Sequence, residues 1–109
     1  MSNKIYLVLE NGDVFEGEWV ENQKHGHGKY TWTDGSFYDG EYAEDVINGE
    51  GMMKYADESV YEGQWEDAQR SGAGKMTYTD GFIYEGEWDD DIRVGHGKLY
   101  FADGSIYVG

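Results

Sequence analysis

Residues 84–104 read YEGEWDDDIRVGHGKLYFADG, and this stretch decides the fold. It holds three consecutive aspartates, a histidine between two glycines and closely spaced glycines, a combination that suggests a metal site or a phosphate-binding loop. The same arrangement recurs upstream from Phe15, Tyr38 and Tyr61, each copy starting 23 residues after the one before. Residues 84–104 therefore belong to one copy of a repeated structural unit.

The repeat divides the whole chain. The predicted units are an N-terminal capping half-repeat at 1–14, repeats at 15–37, 38–60, 61–83 and 84–106, and the start of a fifth repeat at 107–109. In the half-repeat, Leu7 and Leu9 stand where the next unit has Tyr30 and Trp32, which is typical of a cap. The last three residues predict either a longer array or an edge strand that awaits a partner.

Each unit has an aromatic residue, a glycine two positions later and a second aromatic residue two positions after that. A turn, a G-x-G pair, a short strand and an Asp-Gly step follow, with Asp-Glu in the second copy. This pattern resembles the MORN repeat from about residue 15 to the end of the chain. The family often has glycine where this chain has Asn22, Asp45, Ala68 and Asp91. Its histidine before the G-x-G survives only as His25, so both departures touch only the connecting turn.

The Asp-Gly steps predict β-hairpins. A three-residue loop at 33–35, with Gly35 in the left-handed conformation, pairs Thr31 with Phe37. The same register sets opposite charges across the strands, Lys29 with Asp39 and Lys75 with Glu85. The predicted fold is all-β: an elongated single-layer antiparallel sheet of MORN-type β-hairpin repeats with a 23-residue period. At ~4.8 Å per strand the sheet is about 40 to 45 Å long.

Side chains alternate along a strand, so this register sorts the residues onto two faces. One face is predicted to collect the rings and every repeat glycine, including Gly26, Gly49 and Gly72. A glycine then leaves a slot in which a neighbouring ring lies flat. The predicted structural glycines are Gly17, Gly28, Gly40, Gly51, Gly63, Gly74, Gly86 and Gly97. The rings predicted to line a partner-binding groove are Trp19, Tyr30, Trp32, Tyr38, Tyr42, Tyr55, Tyr61, Trp65, Tyr78, Tyr84, Trp88 and Phe101.

Charge and composition restrict the partners. The formal net charge of −15 repels the phosphates of nucleic acid and anionic lipid, so no nucleic-acid partner is expected and lipid binding is disfavoured. There is no cysteine, no long apolar run and no signal-peptide pattern at the start. The expected location is the cytoplasm, including sites on the cytoskeleton or a membrane.

The candidate chemical sites have simpler structural explanations. His25 and His27 form an H-x-H, but His96 lies units away, so no three or four ligands converge on a metal. The run 89–91 lacks the alternating ligands and glycine of a calcium loop and is predicted to be a solvated turn. No helix follows the G-x-G pairs to receive a phosphate, and no cysteine nucleophile or serine triad pattern exists. No metal, cofactor or enzymatic activity is therefore predicted.

The aromatic face is the main functional candidate, because a one-layer sheet cannot bury all of its rings and large exposed apolar patches mark interaction sites. The resemblance implies a non-catalytic scaffold for protein interaction or assembly. The expected partner is a helix or extended peptide laid along Tyr38, Tyr61, Trp65, Tyr84 and Trp88. Self-association into a homodimer or larger array is one alternative. Phosphoinositide or membrane attachment, which the family name implies, is another, and glycan binding on the aromatic repeats is a third.

Overall fold

The computed structural model describes residues 3–109 and contains ten strands; Met1 and Ser2, part of the predicted capping half-repeat, lie outside the described residues. The strands are β1 Asn3–Val8, β2 Val14–Val20, β3 Gln23–Thr31, β4 Phe37–Ala43, β5 Val46–Lys54, β6 Val60–Glu66, β7 Gln69–Thr77, β8 Ile83–Asp89, β9 Ile92–Tyr100 and β10 Ile106–Val108.

The strands form one open sheet in chain order, and every neighbouring pair is antiparallel. The molecule measures 47 × 25 × 18 Å, close to the length expected from the strand count. The predicted elongated single-layer sheet of hairpin repeats is therefore confirmed.

The hairpin loops have the predicted register. In the first complete repeat, Trp32 N–H donates to Ser36 O at 2.9 Å and Gly35 has φ 92°, which closes a three-residue loop. Thr31 consequently pairs with Phe37. The oppositely charged residues predicted to face each other are register partners, Lys29 with Asp39 and Lys75 with Glu85, although Asp39 forms its close contact with His27.

A second kind of turn joins β2 to β3, β4 to β5, β6 to β7 and β8 to β9. Both of its central residues have positive φ, as in a type I′ turn, although none is glycine. These residues are Glu21-Asn22, Glu44-Asp45, Asp67-Ala68 and Asp90-Asp91. The second residue in each pair stands where the family often has glycine, so the chain keeps the left-handed backbone there without it.

Paired glycines run across the sheet as a continuous row. Gly17 pairs with Gly28, Gly40 with Gly51, Gly63 with Gly74 and Gly86 with Gly97, and the intervening strand pairs continue the row. Added methyl groups at Gly40 and Gly51 would both overlap the Tyr38 side chain, the first at its hydroxyl and the second at its hydroxyl and ring. Tyr61 covers its two glycines in the same way, and so does Tyr84. The predicted slot is thus a pair of glycines on adjacent strands under one ring.

The prediction that every repeat glycine faces the rings is wrong for Gly26, Gly49 and Gly72. A methyl group on these residues would meet the side chains of Glu18, Glu41 and Gln64 instead. The pairing between β2 and β3 shifts between Gly17 and Trp19, which leaves one residue opposite three. Gly26 lies in this bulge with φ 78°. The bulge breaks the alternation of faces along the strand, so the side-chain position of Gly26 points away from the rings.

The core is a chain of edge-to-face rings that links each repeat to the next. The Tyr38 ring lies 5.4 Å from that of Tyr42 in its own repeat and 5.6 Å from that of Trp65 in the following repeat, both at nearly right angles. Tyr61 stands between Trp65 and Trp88 in the same manner, at 5.1 and 5.4 Å. Such pairs contribute about 0.5–1.5 kcal/mol beyond the area that they bury. The sheet therefore has a core without a second layer.

The N-terminal half-repeat docks on this core through Ile5. Ile5 pairs with Gly17 and is partly buried against the core, while Leu7 pairs with Phe15 and stays 41% exposed. β1 therefore packs against the N-terminal end of the aromatic core.

We expect Gly51→Ala to lower the free energy of unfolding by about 1–3 kcal/mol, because the added methyl group overlaps a ring that is fully buried and cannot move aside. Urea denaturation followed by tryptophan fluorescence measures the change. Gly95→Asn is the control: Gly95 has φ 64° with open space around it, and asparagine tolerates that conformation at a cost of about 1 kcal/mol or less. Equal losses in the two variants would contradict the slot.

Candidate interaction face

Six of the twelve rings predicted to line the groove belong to the buried core. Tyr38, Tyr42, Tyr61, Trp65, Tyr84 and Trp88 are at most 8% exposed. Their polar atoms are used inside the chain, since Tyr61 Oη–H donates to Gln64 O at 2.9 Å and Trp65 Nε1–H to Gly51 O at 3.2 Å. The described surface therefore does not offer these rings to a partner, which corrects the expected peptide path along them. Three of the tyrosines lie over glycine pairs, and the other rings pack edge-to-face against these tyrosines.

The other six rings are half-buried: Trp19, Tyr30, Trp32, Tyr55, Tyr78 and Phe101. Phe101 packs against Phe82 of the preceding hairpin loop, with ring centroids 5.2 Å apart. Trp32, Tyr55 and Tyr78 each stand just before a hairpin loop and pack on the edge of the core. We name these three residues the outer aromatic row. They are half-buried rings that pack against the core and keep part of their surface accessible.

The hydroxyl of Tyr30 is hydrogen-bonded to Asp13, a buried aspartate between β1 and β2. Its hydroxyl donates to Asp13 Oδ2 at 2.7 Å, and the other oxygen of that carboxylate accepts from Thr33 N–H at 3.1 Å. Burial raises the pKa of Tyr30 to about 12, with the hydrogen bond and the charge of Asp13 adding to the effect. This ring is therefore fixed beside Trp32, 4.9 Å away between centroids.

Side-chain pairs that the sequence reasoning missed join successive repeats at the other end of the strands. Lys24 Nζ lies 3.5 Å from Asp45 Oδ1, and Arg70 Nε–H donates to Asp91 Oδ1 at 3.0 Å. The Arg70 guanidinium also lies over the Trp88 ring, 4.7 Å from its centroid. We name these two pairs the clasps. Their sequence signal is a cation 21 residues before a turn aspartate, in matching columns of two repeats.

The middle junction has no clasp. The equivalent positions between the second and third repeats are Ile47 and Ala68, whose backbones make the same contact, Ala68 N–H to Ile47 O at 2.9 Å. A pocket of about 270 Å³ opens beside them. Its lining consists of Lys24, Tyr30, Trp32, Tyr42, Asp45, Val46, Ile47 and Ala68. We name it the Ile47 pocket. The two charged groups in this lining are paired with each other, so its free surface is mostly apolar.

The opposite face of the sheet is polar and acidic. His27 Nε2 lies 2.6 Å from Asp39 Oδ1 there, and both side chains are open to solvent. Glu41 Oε1 accepts from Glu50 N–H at 2.7 Å, so this carboxylate stabilises the bulge next to Gly49. Within residues 3–109 no three histidine or acidic side chains gather in a way that would hold a metal ion. The Asp91 carboxylate is exposed, as expected for a solvated turn, and it also accepts a hydrogen bond from Arg70.

The family follows from the repeat units themselves. The sequence model of the family described as MORN repeat matches residues 15–37, 38–60, 61–82 and 84–106. The chain belongs to the MORN repeat family. Its MORN repeats share the ring-over-glycine core and the two kinds of turn described above.

Short segments of the chain are also similar to plant lipid kinases. One match is 57% identical over 28 residues to phosphatidylinositol 4-phosphate 5-kinase 6 of Arabidopsis thaliana, covering 26% of this chain and 4% of the kinase. Another is 59% identical over 27 residues to phosphatidylinositol 4-phosphate 5-kinase 5 of the same plant, covering 25% of this chain and 4% of that kinase. The likeness therefore extends over little more than the length of one MORN repeat. In the part of the chain that the structure describes, no helix is long and apolar enough to cross a membrane.

The buried phenols make stability sensitive to alkaline pH. Burial raises the pKa of Tyr61 to about 12 from its ordinary 10.0, although the nearby Arg70 charge acts in the opposite direction. An unfolded chain releases this proton near pH 10, so the contribution is complete below that pH and is lost as the pH rises to about 12.

We expect Tyr61→Phe to reduce the fall in unfolding free energy between pH 10 and 12 by up to about 1.4 kcal/mol per pH unit. Urea denaturation at a series of pH values measures this slope. The variant also loses the hydrogen bond to Gln64 O, which lowers stability at all pH values, so only the slope is diagnostic. Identical slopes in the variant and the parent protein would contradict the assignment.

Proposed function

We propose that this chain is a non-catalytic interaction module that binds a protein segment along the outer aromatic row. The observation that carries the proposal is the recurrence of Trp32, Tyr55 and Tyr78 as half-buried rings beside a core that fills the rest of the face. Large rings held by packing supply contact area at a low entropic cost. Their polar atoms allow one edge of each ring to stay wet while the other edge packs.

The spacing of the row suits a helix. Successive rings are two strands apart, about 10 Å at ~4.8 Å per strand. A helix rises ~1.5 Å per residue, so side chains about seven residues apart on one helical face would meet successive rings. An extended segment would meet a ring at roughly every third residue. A heptad-spaced apolar stripe is thus one recognisable mark of a helical partner.

Charge supports a basic partner. The formal net charge is −15, and the exposed turn residues Glu44, Asp67 and Asp90 lie at the side of the sheet where the clasps are found. Opposite charge around an apolar contact steers association and selects among partners more than it adds affinity. Lysine or arginine residues flanking the apolar stripe would meet these acids.

We expect Tyr55→Ala and Tyr78→Ala each to weaken peptide binding by about tenfold, equivalent to ~1.4 kcal/mol. Peptides selected from a random display library supply the probe, and fluorescence anisotropy gives the dissociation constants. Phe37→Ala is the matched control, since it removes a half-buried ring from the opposite face, where Lys29 Nζ lies 4.5 Å from its centroid. Equal effects of the three substitutions would contradict binding on this face.

Phosphoinositide attachment is the second candidate function, and the resemblance to two phosphatidylinositol 4-phosphate 5-kinases favours it. The charge opposes it, because 23 acidic residues face only eight lysines and arginines. A surface of this sign repels an anionic headgroup.

We expect no co-sedimentation with vesicles that contain phosphatidylinositol 4-phosphate at about 0.15 M salt. Neutral phosphatidylcholine vesicles are the control for non-specific pelleting. Retention by the phosphoinositide vesicles alone would favour the lipid function over peptide binding.

A further inference from the structure

We propose that the Ile47 pocket holds one apolar side chain of a basic peptide and so fixes where the partner sits along the array. This inference rests on the proposed function and adds a position and a specificity to it. The outer aromatic row is periodic, and a periodic surface by itself permits several registers of binding. The Ile47 pocket interrupts that period once among the three complete repeat junctions.

The interruption is confined to side chains. Asp45 N–H donates to Lys24 O at 2.9 Å and Asp91 N–H to Arg70 O at 3.1 Å, and Ala68 N–H makes the same bond to Ile47 O at 2.9 Å. The backbone is therefore alike at the three junctions, whereas the long cation and its acid are replaced by a short aliphatic pair. The pocket lies between this short pair and the neighbouring Lys24–Asp45 clasp.

The pocket is suited to a single apolar side chain. Its volume of about 270 Å³ lies below the range of roughly 300–1,000 Å³ that is usual for sites of drug-sized ligands. Its lining includes the rings of Tyr30, Trp32 and Tyr42, and Val46, Ile47 and Ala68 are aliphatic. The charges of Lys24 and Asp45 neutralise each other, so no unpaired ionic group in this lining calls for a polar ligand. An aliphatic or aromatic side chain of a peptide fits this chemistry.

The surroundings select a basic flank. The second repeat, residues 38–60, carries seven acidic side chains and one lysine, a net charge of −6, the most acidic of the four repeats. Glu44 and Asp67 are exposed and are the chain neighbours of Asp45 and Ala68 in the pocket lining. A lysine or arginine on either side of the anchor would therefore lie close to these carboxylates.

The double substitution Ile47→Arg with Ala68→Asp tests the pocket with residues that already occupy the equivalent positions at another repeat junction. It installs the clasp already present between the third and fourth repeats, where Arg70 N–H and Nε–H both donate to Asp91 Oδ1. Aspartate also tolerates the left-handed backbone of Ala68, which has φ 66°. The variant is expected to fold with unchanged or increased stability, with its pocket filled and its net charge unchanged.

The control carries the reverse change at another junction. Arg70→Ile with Asp91→Ala removes the clasp there and again leaves the net charge unchanged, but it does not touch the Ile47 pocket. Circular dichroism and urea denaturation establish that both variants are folded before binding is measured.

The probe is the set of peptides that a random display library yields against the unaltered protein, with dissociation constants from fluorescence anisotropy. We expect the selected peptides to share one large apolar residue flanked by lysine or arginine. Binding should weaken at least about tenfold in Ile47→Arg/Ala68→Asp and should not weaken by more than about twofold in Arg70→Ile/Asp91→Ala. Light scattering on the same samples shows whether a second copy occupies the pocket instead.

The outcomes separate this inference from the proposed function. Peptides that survive the filled pocket but are lost in Tyr55→Ala and Tyr78→Ala overturn the pocket and leave the outer aromatic row as the binding surface. The absence of any binding peptide overturns both proposals. A dimer that dissociates in Ile47→Arg/Ala68→Asp overturns the peptide as occupant in favour of self-association.

Discussion

The stacking of a tyrosine ring over two paired glycines is the contact on which the rest of this structure depends. Tyr38 lies over Gly40 and Gly51, and Tyr61 and Tyr84 repeat the arrangement one and two repeats later. Most sheets bury their apolar face against a second layer, and this sheet has none. Here the missing side chains let the rings sink into the sheet itself. Each ring then offers an edge-to-face surface to the tryptophan of the next repeat, so the slots also hold the array together.

The same packing determines what is left for function. A tyrosine ring that fills a glycine slot is used by the fold, and its hydroxyl, like the indole nitrogen of the tryptophan packed beside it, donates to a backbone carbonyl. Rings beside the slots, such as Tyr55 and Tyr78, keep part of their surface in water. The accessible aromatic surface is consequently narrower than the number of aromatic residues in the sequence suggests.

One of the three repeat junctions differs from the other two in its side chains. Three equivalent junctions have one backbone geometry, and two of them are closed by a cation and an aspartate. The third carries Ile47 and Ala68 and contains the pocket. Since a periodic surface cannot by itself define a register, this local exception is where we propose that a partner is positioned.

The sequence by itself determined the repeat, the all-β class, the hairpin register and the family. It could do so because these depend on local quantities: turn chemistry at Asp34-Gly35, the period of two along a strand, and columns of residues 23 positions apart. The tertiary structure decided which rings are buried, because that depends on how deeply Tyr38 or Tyr61 sinks between strands. It also decided which face of the sheet Gly26 lies on, since a bulge opposite Glu18 breaks the alternation of residues between the two faces. The clasps and the pocket were not predicted, because they depend on side chains 21 residues apart in the chain that come together only once the intervening strands and turns have formed.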